Sequence, residues 1–220
     1  MSGLRTLVIR RPGVVPYADG LALQDDLVAR RRAGEIPDTL VLLQHPHVIT
    51  LGSSGDAAHV LMDADEREAR GVELFEAGRG GDVTYHGPGQ LVAYPILDLK
   101  PDRKDLHRYL RDLEEVLIRV AADHGVEARR REGLTGIWTD RGKLAAIGVR
   151  VSSGWISSHG LALNVDADLG FFDAIIPCGL EGEAVTSLER ELGTALELES
   201  VADSLAQRFA DVFEREIQVA

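Results

Sequence analysis

Three short β-like runs, Gly136 to Thr139, Lys143 to Val151 and Trp155 to Val165, follow one another with only Asp140-Arg141-Gly142 and Ser152-Ser153-Gly154 between them. Parallel neighbours need a crossover of roughly a dozen residues or more, so connections this short dictate antiparallel pairing. The spacing predicts an antiparallel meander, around which the rest of the chain must be laid. Further strands are predicted at Thr39 to Gln44, Val48 to Leu51 and Leu91 to Leu97. Helical spacing is read over Tyr17 to Arg32, with Gly34 and Pro37 as stops. It is clearest over Asp105 to His124, where Leu106, Leu110, Leu113, Leu117 and Val120 form one apolar stripe ahead of Gly125. A last helix is predicted over Ser200 to Glu216, with Ser200 and Asp203 as its capping pair and an outside position. Helices segregated from a run of hairpins imply an α+β class, a mostly antiparallel sheet with flanking helices on one side. With no internal repeat and no linker-like tract, residues 1 to 220 are expected to form a single domain.

The chain has 220 residues, of which 45% are apolar, enough to bury a sizeable core. No run of apolar residues is long enough to span a bilayer, and the apolar patch of the first residues is too short for a secretory signal, so a cytoplasmic location is expected. A formal charge of -12 disfavours a general nucleic-acid binder, which needs clustered Lys and Arg. The runs Arg30-Arg31-Arg32 and Arg129-Arg130-Arg131 are the local exceptions, expected as solvated element ends. The single cysteine excludes an internal disulfide.

Residues 78 to 95, GRGGDVTYHGPGQLVAYP, hold little that can build a core. Gly80 and Gly81 leave no Cβ to block a ligand, so the backbone amides of Arg79 to Tyr85 can approach a bound group, with Arg79, Thr84 and His86 flanking an opening. Neither familiar phosphate motif is present: no Lys-Ser or Lys-Thr follows these glycines, and the segment leads into a strand rather than a helix.

Cys178 lies between Pro177 and Gly179, where a turn can hold a thiol at a cleft. A nucleophilic thiol needs a nearby cation or base, because at its reference pKa of about 8.5 only a few per cent is thiolate at neutral pH. Of the three lysines, Lys143 alone opens an apolar strand; His86 and His159 are the alternative partners, and spacing does not choose among them.

Four blocks in order, Arg79 to Pro95, Gly142 to Val149, Ser158 to Asn164 and Ile176 to Gly179, resemble the lipoyl(octanoyl) protein transferases. The likeness extends more weakly to His45-Pro46, Thr50-Leu51-Gly52 and Val185 to Leu188, and says little about the last thirty or so residues. The resemblance implies the biotin and lipoate ligase fold, related to class II aminoacyl-tRNA synthetase catalytic domains. It implies Cys178 as the acyl-thioester nucleophile and Lys143 as the group that lowers its pKa or relays protons. Arg79, Gly80, Gly81, Asp82, Val83, Thr84, Tyr85 and His86, with Ala146, Ile147, Gly148, Gly160, Leu161 and Ala162, match the family's acyl-binding segments; Tyr94 and His159 are expected to join them.

The activity so implied is ping-pong transfer of an octanoyl or lipoyl group from octanoyl-acyl carrier protein to a lysine of lipoyl domains of 2-oxoacid dehydrogenase complexes or of the glycine cleavage H protein. It needs no cofactor, no metal, no nucleic acid and no membrane. Two alternatives are weighed beside it: an ATP-dependent lipoate or biotin ligase on the same fold, and a non-catalytic module that binds acyl carrier or lipoyl domains. Because acyl carrier proteins are acidic, a local basic patch must offset the charge of -12, and Arg129 to Arg131 is the expected place.

Overall fold

The computed structural model describes residues 4–176 and 183–218. The chain opens with β1 (Arg5–Val14), α1 (Tyr17–Ala33), β2 (Asp38–Gln44) and β3 (Val48–Leu51). It continues through α2 (Ala64–Arg70), β4 (Glu73–Glu76), β5 (Val83–His86), β6 (Gln90–Ile96) and α3 (Leu106–Asp123). The meander β7 (Gly136–Trp138), β8 (Lys143–Val151) and β9 (Ser157–Asn164) follows, then α4 (Leu188–Leu192), α5 (Leu198–Phe213) and β10 (Arg215–Gln218).

The seven-stranded sheet has the order β10-β1-β2-β6-β9-β8-β7, and β4-β3-β5 form a second sheet. From β2 to β7 every pairing in the large sheet is antiparallel, while β1 lies parallel to both β2 and β10. The α+β expectation holds, with one correction: helices lie on both faces. Leu40, Leu42, Leu91, Ala93, Leu161 and Leu163 turn to one face and pack with α3 and α5. Their neighbours Val41, Leu43, Val92, Tyr94 and Ala162 turn to the other, with Leu27 of α1. A strand covered on both faces reads as a continuous apolar run, as β2 does, instead of alternating.

Asp105 caps α3 through its side chain, which accepts from the Arg108 amide, and Gly125 follows with φ +80°. The C-terminal expectation is corrected. Helix α5 begins at Leu198 after Glu197, with no side-chain cap from Ser200, and stops at Phe213, because Glu214 takes the left-handed conformation and the chain turns into β10. Helix α5 is also buried along Val201, Leu205, Phe209 and Phe213 instead of lying outside.

What holds β10 in place is ionic. The Asp38 carboxylate, fully buried, accepts from Arg31 at 2.8 Å, Arg215 at 2.9 Å and Arg5 at 3.0 Å, and from the Asp98 amide at 3.0 Å. Asp102 meets Arg5 at 2.8 Å and Arg215 at 2.9 Å; burial pushes its carboxyl up, but the Arg215, Arg5 and Arg103 guanidiniums outweigh this and hold it below the usual range. Arg215 is 1% exposed, so deleting Asp38 leaves a buried cation short of its partner. Asp38→Ala is expected to destabilise the fold by about 3 to 5 kcal/mol in urea unfolding, far more than any exposed pair such as Arg30–Asp26.

Candidate functional site

A cavity of about 390 Å³ opens where the small sheet meets β8 and β9, within the size range of small-molecule sites. One wall is the glycine-rich segment before β5. It is tied to the neighbouring loop by the Ser53 and Ser54 amides, which donate to Arg79 and Gly81 carbonyls at 2.9 and 3.2 Å. It is tied to β8 by the Gly80 amide, which donates to Val149 O at 2.9 Å. A Cβ at Gly148 would lie 2.9 Å from Gly80 O, so the close approach requires glycine there. Apolar lining comes from Val83, Val92, Ile147, Leu161 and Ala162, and from Leu106 and Leu110 of α3 at the outer edge.

Of the residues expected from sequence, Arg79 to Thr84, His86, Tyr94, Lys143, Ala146 to Gly148 and His159 to Ala162 all line this cavity. Tyr85 does not, which corrects the expectation. Strand alternation turns its ring into a separate core, stacked on Phe171 at 5.0 Å between ring centres, with its hydroxyl 2.6 Å from His47 Nδ1. Arg79 lines the cavity, but its guanidinium is also a clamp, donating to Thr50 O at 2.6 Å and Thr50 Oγ1 at 2.8 Å.

Cys178 lies outside the described residues. The described chain reaches Ile176, whose amide donates to His59 O at 2.9 Å, and resumes at Glu183, with Val185 bridged to Lys143 in parallel. The Lys143 amide donates to Ala184 O at 2.8 Å, and its carbonyl accepts from the Thr186 amide at 3.0 Å. Phe172 and Val185, on either side of the cysteine segment, both line the cavity. Lys143 is half-buried, with Nζ 5.2 Å from the centre of the Trp138 ring, and Gly136 leaves room for its stem: a Cβ there would stand 3.1 Å from Lys143 Cε.

At and behind the inner wall of the cavity stands a cluster of neutral polar rings beside the Arg79 cation. His45 Nδ1 donates to Val15 O at 2.6 Å, so its Nε2 accepts from the Tyr94 hydroxyl at 2.6 Å. Burial lowers the His45 pKa and raises that of Tyr94. Burial, His45 and Arg79 together lower His86 to about 3, and burial with the Arg79 and Arg150 cations lowers His159 to about 4. His159 also holds φ +54° within β9, its amide donating to Gln24 Oε1 at 2.6 Å, a conformation rare for a residue with a Cβ.

Sequence reasoning did not mark Tyr17, Gln90, Asn164, Leu110 or Leu134 as lining residues, although all five are. Gln90 and Asn164 stand inside the matched blocks, whereas Tyr17 and Leu134 come from distant elements and carry no local signal. It also missed the pair His59 Nδ1 to Asp82 Oδ2 at 2.7 Å, formed beside the chain that leads to Ile176. The expected basic patch is corrected in turn: Arg129 meets Asp140, Arg130 meets Glu114 and Glu115, and Arg131 meets Glu183, so each cation faces a carboxylate of its own chain. Among the described residues no group of three or more His, Cys, Asp or Glu is placed to hold a metal, and no helix is long and apolar enough to cross a membrane.

Residues 16–210 match the Lipoyl protein ligase A/B catalytic domain family. An octanoyltransferase of Rubrobacter xylanophilus is 52% identical over 206 residues, covering 93% of this chain and 92% of the relative. One of Chloroflexus aurantiacus is 48% identical over 218 residues, 98% of each chain. Among solved structures, a bipartite lipoate protein ligase described with its E2 lipoyl domain from Thermoplasma acidophilum superposes with a TM-score of 0.72 at 17% identity, over 100% of this chain and 87% of that one. The biotin protein ligase of Aquifex aeolicus in complex with biotin and ATP gives 0.55 at 11%, over 95% and 70%. The fold is thus that of the lipoate and biotin ligases. The chain belongs to the lipoyl protein ligase A/B catalytic family and, within it, to the octanoyltransferases, which makes it an acyltransferase.

His86 and His159, the two most strongly depressed histidines, give a stability prediction. Between their folded values, about 3 and about 4, and the unfolded value of 6.5, the unfolded chain binds protons that the folded chain does not. Stability therefore rises with pH across this window and is lost as pH falls below about 6.5, by about 1.4 kcal/mol per pH unit for each ring. Urea midpoints are expected to fall between roughly pH 6.5 and 5, and His159→Asn is expected to flatten that slope even where it lowers the midpoint itself.

Proposed function

We propose that the chain is a single-domain octanoyltransferase working through a covalent Cys178 thioester, with Lys143 as its cationic partner. The donor is octanoyl-acyl carrier protein, and the acceptors are lysines of lipoyl domains of 2-oxoacid dehydrogenase complexes and of the glycine cleavage H protein. The supporting observation is that Lys143 lines an apolar cavity together with Phe172 and Val185, the described neighbours on either side of the segment carrying Cys178.

The Cys178 thiolate attacks the octanoyl carbonyl carbon, and the tetrahedral intermediate collapses by expelling the pantetheine thiolate, which takes a proton from the Lys143 ammonium and leaves with its carrier. The acceptor amine then attacks the acyl-enzyme. Its nitrogen forms the amide bond, the Cys178 sulfur departs as thiolate and the amine proton is lost to a base, a role Lys143 fills once neutral. Thioester to thioester is nearly balanced and thioester to amide runs downhill, so the cycle closes without activation by ATP. Each methylene of the acyl chain buried against Val83, Val92, Ile147 and Leu161 contributes about 0.8 kcal/mol to binding.

Intact-protein mass spectrometry after mixing with octanoyl-acyl carrier protein is expected to show one octanoyl group on the wild type and none on Cys178→Ser; an unmodified wild type overturns the proposal. Pyrophosphate released from octanoate, ATP and magnesium would instead mark a ligase. Lys143→Ala removes a cation that favours the thiolate, so the thiol pKa read from iodoacetamide alkylation is expected to rise and acyl transfer to fall about 10²- to 10⁴-fold.

A further inference from the structure

His86 ends a chain of buried side chains that runs through Gln90 and Asn164 to the backbone of Thr186. The direction of each hydrogen bond follows from the last member. Thr186 O is a peptide carbonyl and only accepts, so the Asn164 atom 3.0 Å away is the amide nitrogen. Asn164 Oδ1 is then turned to Gln90 at 2.9 Å and must accept, which makes the facing Gln90 atom Nε2. That nitrogen also lies 3.3 Å from the Tyr85 carbonyl, again an acceptor only. Gln90 Oε1 is left 2.6 Å from His86 Nδ1, so Nδ1 carries the proton.

A neutral imidazole has one N–H. Burial keeps His86 neutral far below physiological pH, so its Nε2 holds a lone pair. The bonds formed among the described residues engage Nδ1 and leave Nε2 to the cavity that His86 lines. The same Thr186 bonds through its amide to the Lys143 carbonyl, so imidazole and lysine stand on one hydrogen-bonded frame.

We propose that Gln90 and Asn164 are positioning residues that fix His86 as the Nδ1–H tautomer, so that its Nε2 meets the substrate as a hydrogen-bond acceptor for an amide or amine N–H. Two parts of the reactants carry such a group: the pantetheine arm of the donor and the attacking amine of the acceptor. A tautomer with Nε2–H would present a donor to both and leave the lone pair facing the Gln90 carbonyl, which costs a buried hydrogen bond. The tautomer stands without the transferase reading; the substrate contact rests on it.

Long-range proton–nitrogen correlation spectra of the full chain labelled with ¹⁵N-histidine, with the His86 signal assigned by its loss in His86→Phe, test the tautomer near neutral pH. The expected pattern is Nδ1–H in the wild type, retained in Gln90→Glu, which keeps an acceptor at Nδ1, and shifted towards Nε2–H in Gln90→Leu. An Nε2–H wild type overturns the proposal even if neither Gln90 variant folds, and so does a Gln90→Leu spectrum unchanged from wild type. In transfer assays His86→Phe is expected to lose roughly 10- to 100-fold, the scale of one buried hydrogen bond left unmade. Loss in acylation by octanoyl-pantetheine assigns the N–H to the donor arm, and loss in discharge of preformed acyl-enzyme assigns it to the amine. Both half-reactions unchanged overturn the substrate contact, whereas a wild type that forms no acyl-enzyme sinks the transferase reading and leaves the tautomer result standing.

Discussion

The site depends on one approach of two backbones. Where the glycine-rich segment crosses β8, the Gly80 amide bonds to Val149 O at 2.9 Å, and Gly148 stands so near that a single methyl would meet Gly80 O at 2.9 Å. That contact docks the small sheet onto the large one and leaves a gap between them, lined from both sides. Side chains in these positions would fill the gap or push the sheets apart, since protein interiors leave little room for an added methyl group. Gly148, and Gly80, whose own Cβ would stand 3.3 Å from Val149 O, are therefore requirements of docking before they are ones of chemistry.

The ring cluster at and behind the inner wall of that gap follows from the cost of burying charge. His45, His86, His159, Tyr17 and Tyr94 are each held towards their neutral form by burial, and neutral rings that find a partner are far cheaper to desolvate than ions. Arg79 is the charged exception, and Thr50 satisfies it with three contacts. Its field acts on several of these groups at once, depressing His86 and His159 and easing Tyr17 and Tyr94 towards their anions. Neutral rings around one fixed cation favour negative charge developing at that end of the cavity.

Much of this was legible in the sequence where local rules decide. The meander was legible from its two short turns, α3 from its stripe and the Gly125 that follows it, and three of the four blocks hold residues that line one cavity. The rest depended on contacts between distant residues. Strand β10 follows the α5 helix without a break in composition, and the contacts that turn Arg215 back beside β1, with Asp38, Asp102 and β1 itself, come from distant parts of the chain. Tyr85 shares β5 with three lining residues, Val83, Thr84 and His86, yet strand alternation turns it away from Thr84 and His86, against Phe171 86 residues later in the chain. Arg129 to Arg131 look like a basic patch in sequence because the carboxylates that meet them come from α3, from the β7–β8 turn and from Glu183.

Helix α3 shows how one pattern can serve two ends. Its stripe predicts five core leucines and valines, and from Leu113 onward the core receives them: Leu113, Leu117 and Val120 are fully buried. The first two members overrun the sheet edge, where Leu110 is half-buried and Leu106 is 42% exposed, and both line the cavity. An exposed leucine at a cavity lip costs solvation in the free protein that an entering acyl chain removes, so the exposure that weakens the fold at this helix end becomes affinity for an apolar ligand. The periodicity that seats α3 against the sheet thus also carries the apolar lining out to the surface.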